Sequence, residues 1–243
     1  MLKLANNVAI VTGASQGLGR GIALTFAREG CRIVLAARSA ALLDAVAAEC
    51  QALGAEALAV PTDVADEAQI EALFARTLER FGRLDVLVNN AAMLGGAPLE
   101  ALPTELWQRA IDVNLTAPLL CTRAAFRIMK PQGGGRIINI ASIASQRVRP
   151  DSAPYSATKH GLWGLTQSAA LDGRSHGIVV SCLYPGNIRT EKRSAGGTAF
   201  NEEPMMSVEE VADGVLFMAA QPAHLNILEM TMLPVGQAFL GRG

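Results

Sequence analysis

Val8-Ala9-Ile10-Val11-Thr12-Gly13-Ala14-Ser15-Gln16-Gly17-Leu18-Gly19 is the stretch that decides the fold. Its first four residues form a compact, β-rich apolar run. Three glycines follow, and a helical pattern then continues to about Glu29, stopped by Gly30. A strand that turns through glycines directly into a helix is the context in which such a loop holds a dinucleotide. Gly13 permits the tight turn. Gly17 and Gly19 let backbone approach a pyrophosphate at the positive end of the helix, where amide groups lack partners. The spacing is G-x-x-x-G-x-G, not the commoner G-x-G-x-x-G.

The same alternation runs outward from this stretch. Residues 32–37 read as the next strand and 40–53 as an Ala/Leu-rich helix stopped by Gly54. A third strand covers 57–60. Residues 66–81 are helical, with Asp66 as N-cap and Gly82 as the stop. Further strands fall at 85–88, 136–140, 178–183 and 227–231. Nearly continuous apolar strands separated by helices predict a doubly wound, Rossmann-like parallel sheet of about seven strands with helices on both faces. One domain over residues 1–243 is expected, because no repeat or low-complexity linker divides the chain.

Half of the 243 residues are apolar and 18% are charged, against about 25% charged in an average domain. This excludes general disorder and suggests apolar surface hidden between subunits. Lys and Arg number 21 and Asp and Glu 22, for a net charge of −1. No basic excess exists to hold phosphate backbones, so nucleic acid is not an expected partner. Cys31, Cys50, Cys121 and Cys182 show no CxxC spacing, and His160, His176 and His224 are scattered. Neither a metal site nor a disulfide framework is expected. Reduced core cysteines suit the cytoplasm. The opening residues lack a secretory signal core with a cleavage site, and no apolar stretch approaches the ~18 residues of a membrane span. A cytoplasmic protein without membrane association is expected.

The end of the second strand bears on the choice of dinucleotide. A carboxylate about 20 residues past the loop would bond the ribose hydroxyls of NAD. Here the chain reads Ala36-Ala37-Arg38-Ser39. Nothing acidic repels a 2′-phosphate, and Arg38 is placed to pair with one. NADP(H) is therefore expected over NAD(H); the alternative for Arg38 is a solvated charge at a strand end. Tyr155-Ser156-Ala157-Thr158-Lys159 opens a helical pattern over 153–171. Positions i and i+4 share a helix face, so the Lys159 ammonium lies near the Tyr155 phenol. A nearby positive charge lowers a tyrosine pKa from about 10 and makes the phenol a usable proton donor or acceptor. The alternative is a helical Tyr packed against a surface Lys.

Together these stretches resemble the short-chain dehydrogenase/reductase family along nearly the whole chain. Thr12 to Gly19 matches the family's TGxxxGxG, and Asp63-Val64 stands where the family places the adenine ring. Asn89-Asn90-Ala91-Ala92 resembles NNAG, with Ala92 in place of the final glycine. Asn114 lies in the helix that carries the family's catalytic Asn, and Ser142 precedes Tyr155 by the family's usual interval. Pro185-Gly186 leads through Asn187 and Ile188 to Thr190, like the PGxxxT stretch beside the nicotinamide. The ending Leu228 to Gln237 departs from the common G-x-x-x-x-x-D-G-G pattern and looks more like that of a subgroup acting on small hydroxy acids.

The resemblance implies an NADPH-dependent oxidoreductase that reduces a small-molecule carbonyl to an alcohol, reversibly. Tyr155 would be the general acid for reduction. Lys159 would lower its pKa and hold the nicotinamide ribose, Ser142 would orient the carbonyl, and Asn114 would support a water leading to Lys159. Gly13, Ser15, Gln16, Gly17, Leu18, Gly19, Arg38, Asp63, Val64, Asn90, Ala91, Ala92, Pro185, Gly186, Ile188 and Thr190 would contact the cofactor, with Tyr155 and Lys159. Met93, Leu94, Ser145, Gln146, Arg147, Val148, Asn187 and the loop over 187–204 would shape the substrate pocket. Arg147 or Arg149 would pair with a substrate carboxylate or face solvent.

Two alternatives stand beside this reading. One is a 3-oxoacyl-thioester reductase whose carrier meets a basic patch of Arg123, Arg127 and Lys130. The other is a catalytically silent NADP-binding sensor, which would be expected to lack one of the key residues. A homo-oligomer is expected, a tetramer or otherwise a dimer, through the helices carrying Asn114 and Tyr155.

Overall fold

The apolar strands pair edge to edge, and the central ones are sealed on both faces. In the computed structural model, which describes residues 2–190 and 203–238, β1 (Val8–Thr12) is buried along its whole length. It lies between parallel β2 (Arg32–Ala37) and parallel β4 (Val86–Asn89). β3 (Ala57–Pro61) pairs outside β2. On the other side come β5 (Gly135–Ile140), β6 (Ile178–Pro185) and β7 (Glu229–Met232). The order is β3-β2-β1-β4-β5-β6-β7, all parallel. The expected seven-stranded sheet is therefore present. β6 runs two residues further than its apolar run, to Pro185, and β7 starts later, at Glu229.

Strand alternation divides the core. Ala9 and Val11 face α1 (Gly17–Arg28), α2 (Ala40–Ala52) and α7 (Val208–Ala219). Val8 and Ile10 face α3 (Glu67–Phe81), α5 (Ala117–Met129) and the last turns of α6 (Ala153–Gly173). The α3 boundaries agree with the sequence: the Asp66 carboxylate accepts from the amides of Ala68 and Gln69, and Gly82 closes the helix in the left-handed region at φ +72°. α4 (Thr104–Ile111) joins α5 through a π-helical turn, Asp112–Thr116, which contains Asn114. The apolar pattern gives no sign of that wider turn.

Below the carboxyl ends of the strands runs a chain of buried polar groups. Asn89 Nδ2 donates to Asn139 Oδ1 at 2.8 Å, and Asn139 Nδ2 donates to Thr166 Oγ1 at 2.9 Å. It ties β4, β5 and α6 together with every link satisfied, as a buried polar network must be. Chain order reverses between β1 and β4, and outside that reversal a doubly wound sheet leaves its crevice.

Candidate active site

The cleft at this position has a volume of about 1060 Å³. Its floor begins at the glycine loop. The Thr12 hydroxyl accepts from the amides of Asn90 and Ala91, each at 3.0 Å, and Asn90 Nδ2 donates to the Thr12 carbonyl at 2.9 Å. The loops after β1 and β4 are thereby fastened together. Gly13, at φ +67°, leaves room for this: a Cβ there would stand 2.9 Å from Ala91 Cα. Gly13, Ser15, Gln16, Gly17 and Leu18 all line the cleft, whereas Gly19 does not. A Cβ on Gly19 would lie 2.2 Å from the Gly13 carbonyl oxygen. The absence of a side chain at Gly19 therefore lets α1 pack against its own turn.

α1 starts differently from three of the other helices. α2, α3 and α7 are capped by the side chains of Ser39, Asp66 and Ser207. The N-terminus of α1 has no side-chain cap and no acidic residue in its first turn. Its amides open onto the cleft as a site for an anionic group. The charge of the walls agrees with this. Among the described residues, Arg38, Arg109, Arg147, Arg149 and Lys159 line the cleft against one carboxylate, Asp63. Asp63 Oδ2 accepts from Arg109 Nη2 at 2.8 Å. Burial pushes the Asp63 carboxyl up, but the hydrogen bonds from Arg109 and the Ala65 amide and the charges of Arg109 and Arg38 outweigh it, so its pKa lies below the ordinary value. Arg38 is exposed at the end of β2. Val64, Asn90, Ala91, Ala92, Pro185, Gly186, Ile188 and Thr190 also reach the cleft, and Ala92 is exposed there, so the methyl that replaces glycine meets solvent.

Three chemical groups meet at the far end of the cleft. Ser142 follows β5, and its hydroxyl accepts from the Ala144 amide at 3.1 Å and hydrogen-bonds the Tyr155 phenol. Tyr155 stands in the first turn of α6. Lys159, one turn later, is 2% exposed and donates to the Ile140 carbonyl at 2.7 Å. Its Nζ lies 5.6 Å from the centre of the Tyr155 ring. Burial pushes the Lys159 ammonium down to about 8. It also pushes the Tyr155 phenol up, opposed by the hydrogen bond from Ser142. The net direction for Tyr155 is upward, opposite to the lowering expected from Lys159 alone. Desolvation of the phenol dominates, and the ammonium spends a hydrogen bond on Ile140.

Asn114 is fully buried beside this group and does not line the cleft. Its Oδ1 accepts from the Met93 amide at 2.7 Å, while Nδ2 donates to the Met93 carbonyl at 2.9 Å and to Thr158 Oγ1 at 3.2 Å. The side chain is committed to fixing the loop after β4 against α6. Any service to a water would fall to the backbone of its π-helical turn.

Several residues that position the site carry no mark in the sequence. Arg109 of α4 holds Asp63, and Thr158 holds Asn114 across 44 positions. Glu203 accepts from Asn187 Nδ2 at 2.6 Å and from Arg149 Nη2 at 3.4 Å. Each is a common residue type whose partner is distant in sequence. Of the loop expected over 187–204, residues 191–202 lie outside the described residues. The basic patch expected on α5 is neutralised in part: Arg123 pairs with Glu67, and Arg127 pairs with Glu71 at 2.9 Å.

The family profile described as short chain dehydrogenase matches residues 7–198. The chain is 40% identical to a 3-oxoacyl-(acyl-carrier-protein) reductase of Synechocystis sp. over 241 residues, which covers 95% of this chain and 96% of that relative. A short-chain type dehydrogenase/reductase from Mycobacterium marinum superposes with a TM-score of 0.89 at 30% identity, covering 95% of this chain and 96% of that one. A variant of actinorhodin polyketide ketoreductase, solved with NADPH, superposes with a TM-score of 0.87 at 32% identity, covering 93% and 95%.

Proposed function

The chain belongs to the short-chain dehydrogenase/reductase family of oxidoreductases, and from that premise we propose that it reduces a small carbonyl compound to an alcohol with NADPH. The observation that carries this reading is the meeting of Ser142, Tyr155 and Lys159 in the same cleft as the uncapped start of α1. The chain's own features fit a nicotinamide dinucleotide. The uncapped amides of α1 suit its pyrophosphate. The exposed Arg38, with its planar fork of donors, suits a 2′-phosphate, and Asp63 and Val64 stand where the family places the adenine. Pro185, Gly186, Ile188 and Thr190 would flank the nicotinamide, which supplies the hydride when bound.

The chain's residues then divide the remaining work. The carbonyl oxygen would accept hydrogen bonds from the Ser142 and Tyr155 hydroxyls. Tyr155, held protonated by its desolvated surroundings, gives up its proton as negative charge develops on that oxygen. The Lys159 ammonium, close to the ring, stabilises the tyrosinate left behind. Asn114 holds α6 and the loop after β4 in register. Met93, Leu94, Ile143, Ala144 and Arg147 line the substrate end, and residues 187–204 would complete it. The four cysteines are free and buried, which suits a reduced cytoplasmic setting.

The 40% identity to a carrier-protein reductase favours a second reading, reduction of a 3-oxoacyl thioester. The ion pairs of Arg123 and Arg127 weigh against it, since they occupy cations that would meet an acidic carrier. A silent sensor is disfavoured because Ser142, Tyr155 and Lys159 are all present. The deciding experiment measures NADPH and NADH oxidation against a panel of small ketones, oxo acids and oxoacyl thioesters. Wild type is expected to turn over small carbonyls with kcat/KM higher for NADPH, and Tyr155→Phe to lose turnover while still binding NADPH. Full activity in Tyr155→Phe overturns the mechanism. A kcat/KM for NADH equal to or above that for NADPH overturns the role given to Arg38, and preference for the thioesters decides for the second reading.

A further inference from the structure

The atypical ending of the chain lies against the nicotinamide side of the cleft. After β7 the backbone turns, with the Gln237 amide donating to the Pro234 carbonyl at 2.9 Å. This returns Gln237 beneath Pro185–Ile188. The sheet ladder accounts for the Gly186 amide, which donates to the Met232 carbonyl at 2.8 Å. The next amide, that of Asn187, is buried and has no strand partner. Gln237 Oε1 accepts from it at 2.9 Å. The packing around this bond leaves no slack: a Cβ on Gly186 would stand 2.2 Å from Gln237 Oε1.

Gln237 is 6% exposed, and its Nε2 is a buried donor without a partner among the described residues. A buried glutamine satisfied at one end only needs a reason to be there. We infer that Gln237 is a positioning residue of the cleft: its side-chain oxygen holds the Asn187 amide and so sets the Pro185–Thr190 wall against which the nicotinamide half of the cofactor binds. Two further bonds pin the same residue. The Asn187 carbonyl accepts from the Met206 amide at 2.9 Å, and its side chain donates to Glu203. Asn187 lines the cleft and Gln237 does not, so Gln237 acts through Asn187.

This inference rests on the cofactor reading above, and its test separates the two. Gln237→Met keeps the length and apolar stem of the side chain, and removes both the acceptor and the orphaned donor. Gln237→Asn keeps the amide but withdraws it by one carbon. Binding of NADPH and of adenosine 2′,5′-bisphosphate, which lacks the nicotinamide half, is measured by calorimetry for wild type and both variants. One hydrogen bond to a buried amide is worth on the order of tenfold. In each variant the NADPH Kd is expected to rise about tenfold while the bisphosphate Kd changes less than about twofold. The melting temperature of Gln237→Met is expected to move by less than about 3 °C. If both ligands weaken together, or neither does, the role given to Gln237 is overturned. Wild-type protein that binds NADPH no better than the bisphosphate overturns the cofactor reading, and this inference with it.

Discussion

The ammonium of Lys159 is held almost out of water, with the Ile140 carbonyl as its acceptor and the Tyr155 ring beside it. That placement has a stability consequence separate from catalysis. Burial lowers its pKa from 10.5 to about 8. Below pH 8 both folded and unfolded chains carry the proton, and the folded state bears the full penalty of a buried charge. Between about 8 and 10.5 the unfolded chain binds more protons than the folded one, so stability rises with pH. The gap corresponds to about 3 kcal/mol. Lys159→Met lacks this group, so its stability relative to wild type should fall by about 3 kcal/mol between pH 8 and 10.5. Urea unfolding of both proteins across that range measures it. A difference that stays flat with pH would mean that Lys159 has the same pKa in the folded and unfolded chains, so that burial does not lower it.

At the scale of elements, α1 shows how one residue serves packing while its neighbours serve binding. Gly13 and Gly17 sit at positive φ on the cleft wall. Gly19 faces the other way, with the Gly13 carbonyl where its side chain would be. Gly19→Ala therefore pushes α1 off its turn. Overpacking of this kind costs about 1–3 kcal/mol. Because the shifted amides are those that open onto the cleft, NADPH affinity should fall as well. Denaturant melts and calorimetry on the one variant check both effects. Lower affinity without any loss of stability would place Gly19 on the ligand side after all.

At the scale of the whole molecule, the low charge count has a place to reside. Leu119 of α5 and Leu171 of α6 are 47% and 62% exposed, and Trp163 and Leu165 of α6 are half-buried. Phe217 of α7 and Leu228, just before the edge strand β7, are 56% and 39% exposed. An apolar edge strand left open is an aggregation liability. The expected tetramer would cover such side chains at two interfaces related by closed symmetry. Light scattering at micromolar concentration should return about four times the 25.5 kDa chain mass. A single-chain mass would sink this expectation. Among the described residues no helix is long and apolar enough to cross a membrane.

The parallel sheet, the glycine loop, and the nearness of Tyr155 and Lys159 are legible in the order of residues, because each is local. An apolar run buried on both faces reads as an interior strand, a glycine turn opening a helix reads as an anion cradle, and i, i+4 spacing puts two side chains on one face. Packing alone reveals that Gly19 lies against the Gly13 carbonyl, that Asn114 is spent on Met93 and Thr158, that Arg109 holds Asp63, that Arg123 and Arg127 are paired, and that Gln237 reaches Asn187. These contacts cross from one element to another over distances in sequence that no period encodes. The direction of the pKa shifts belongs with them. Spacing places a charge beside the phenol, but desolvation depends on everything packed around it, and in this cleft burial outweighs the neighbour.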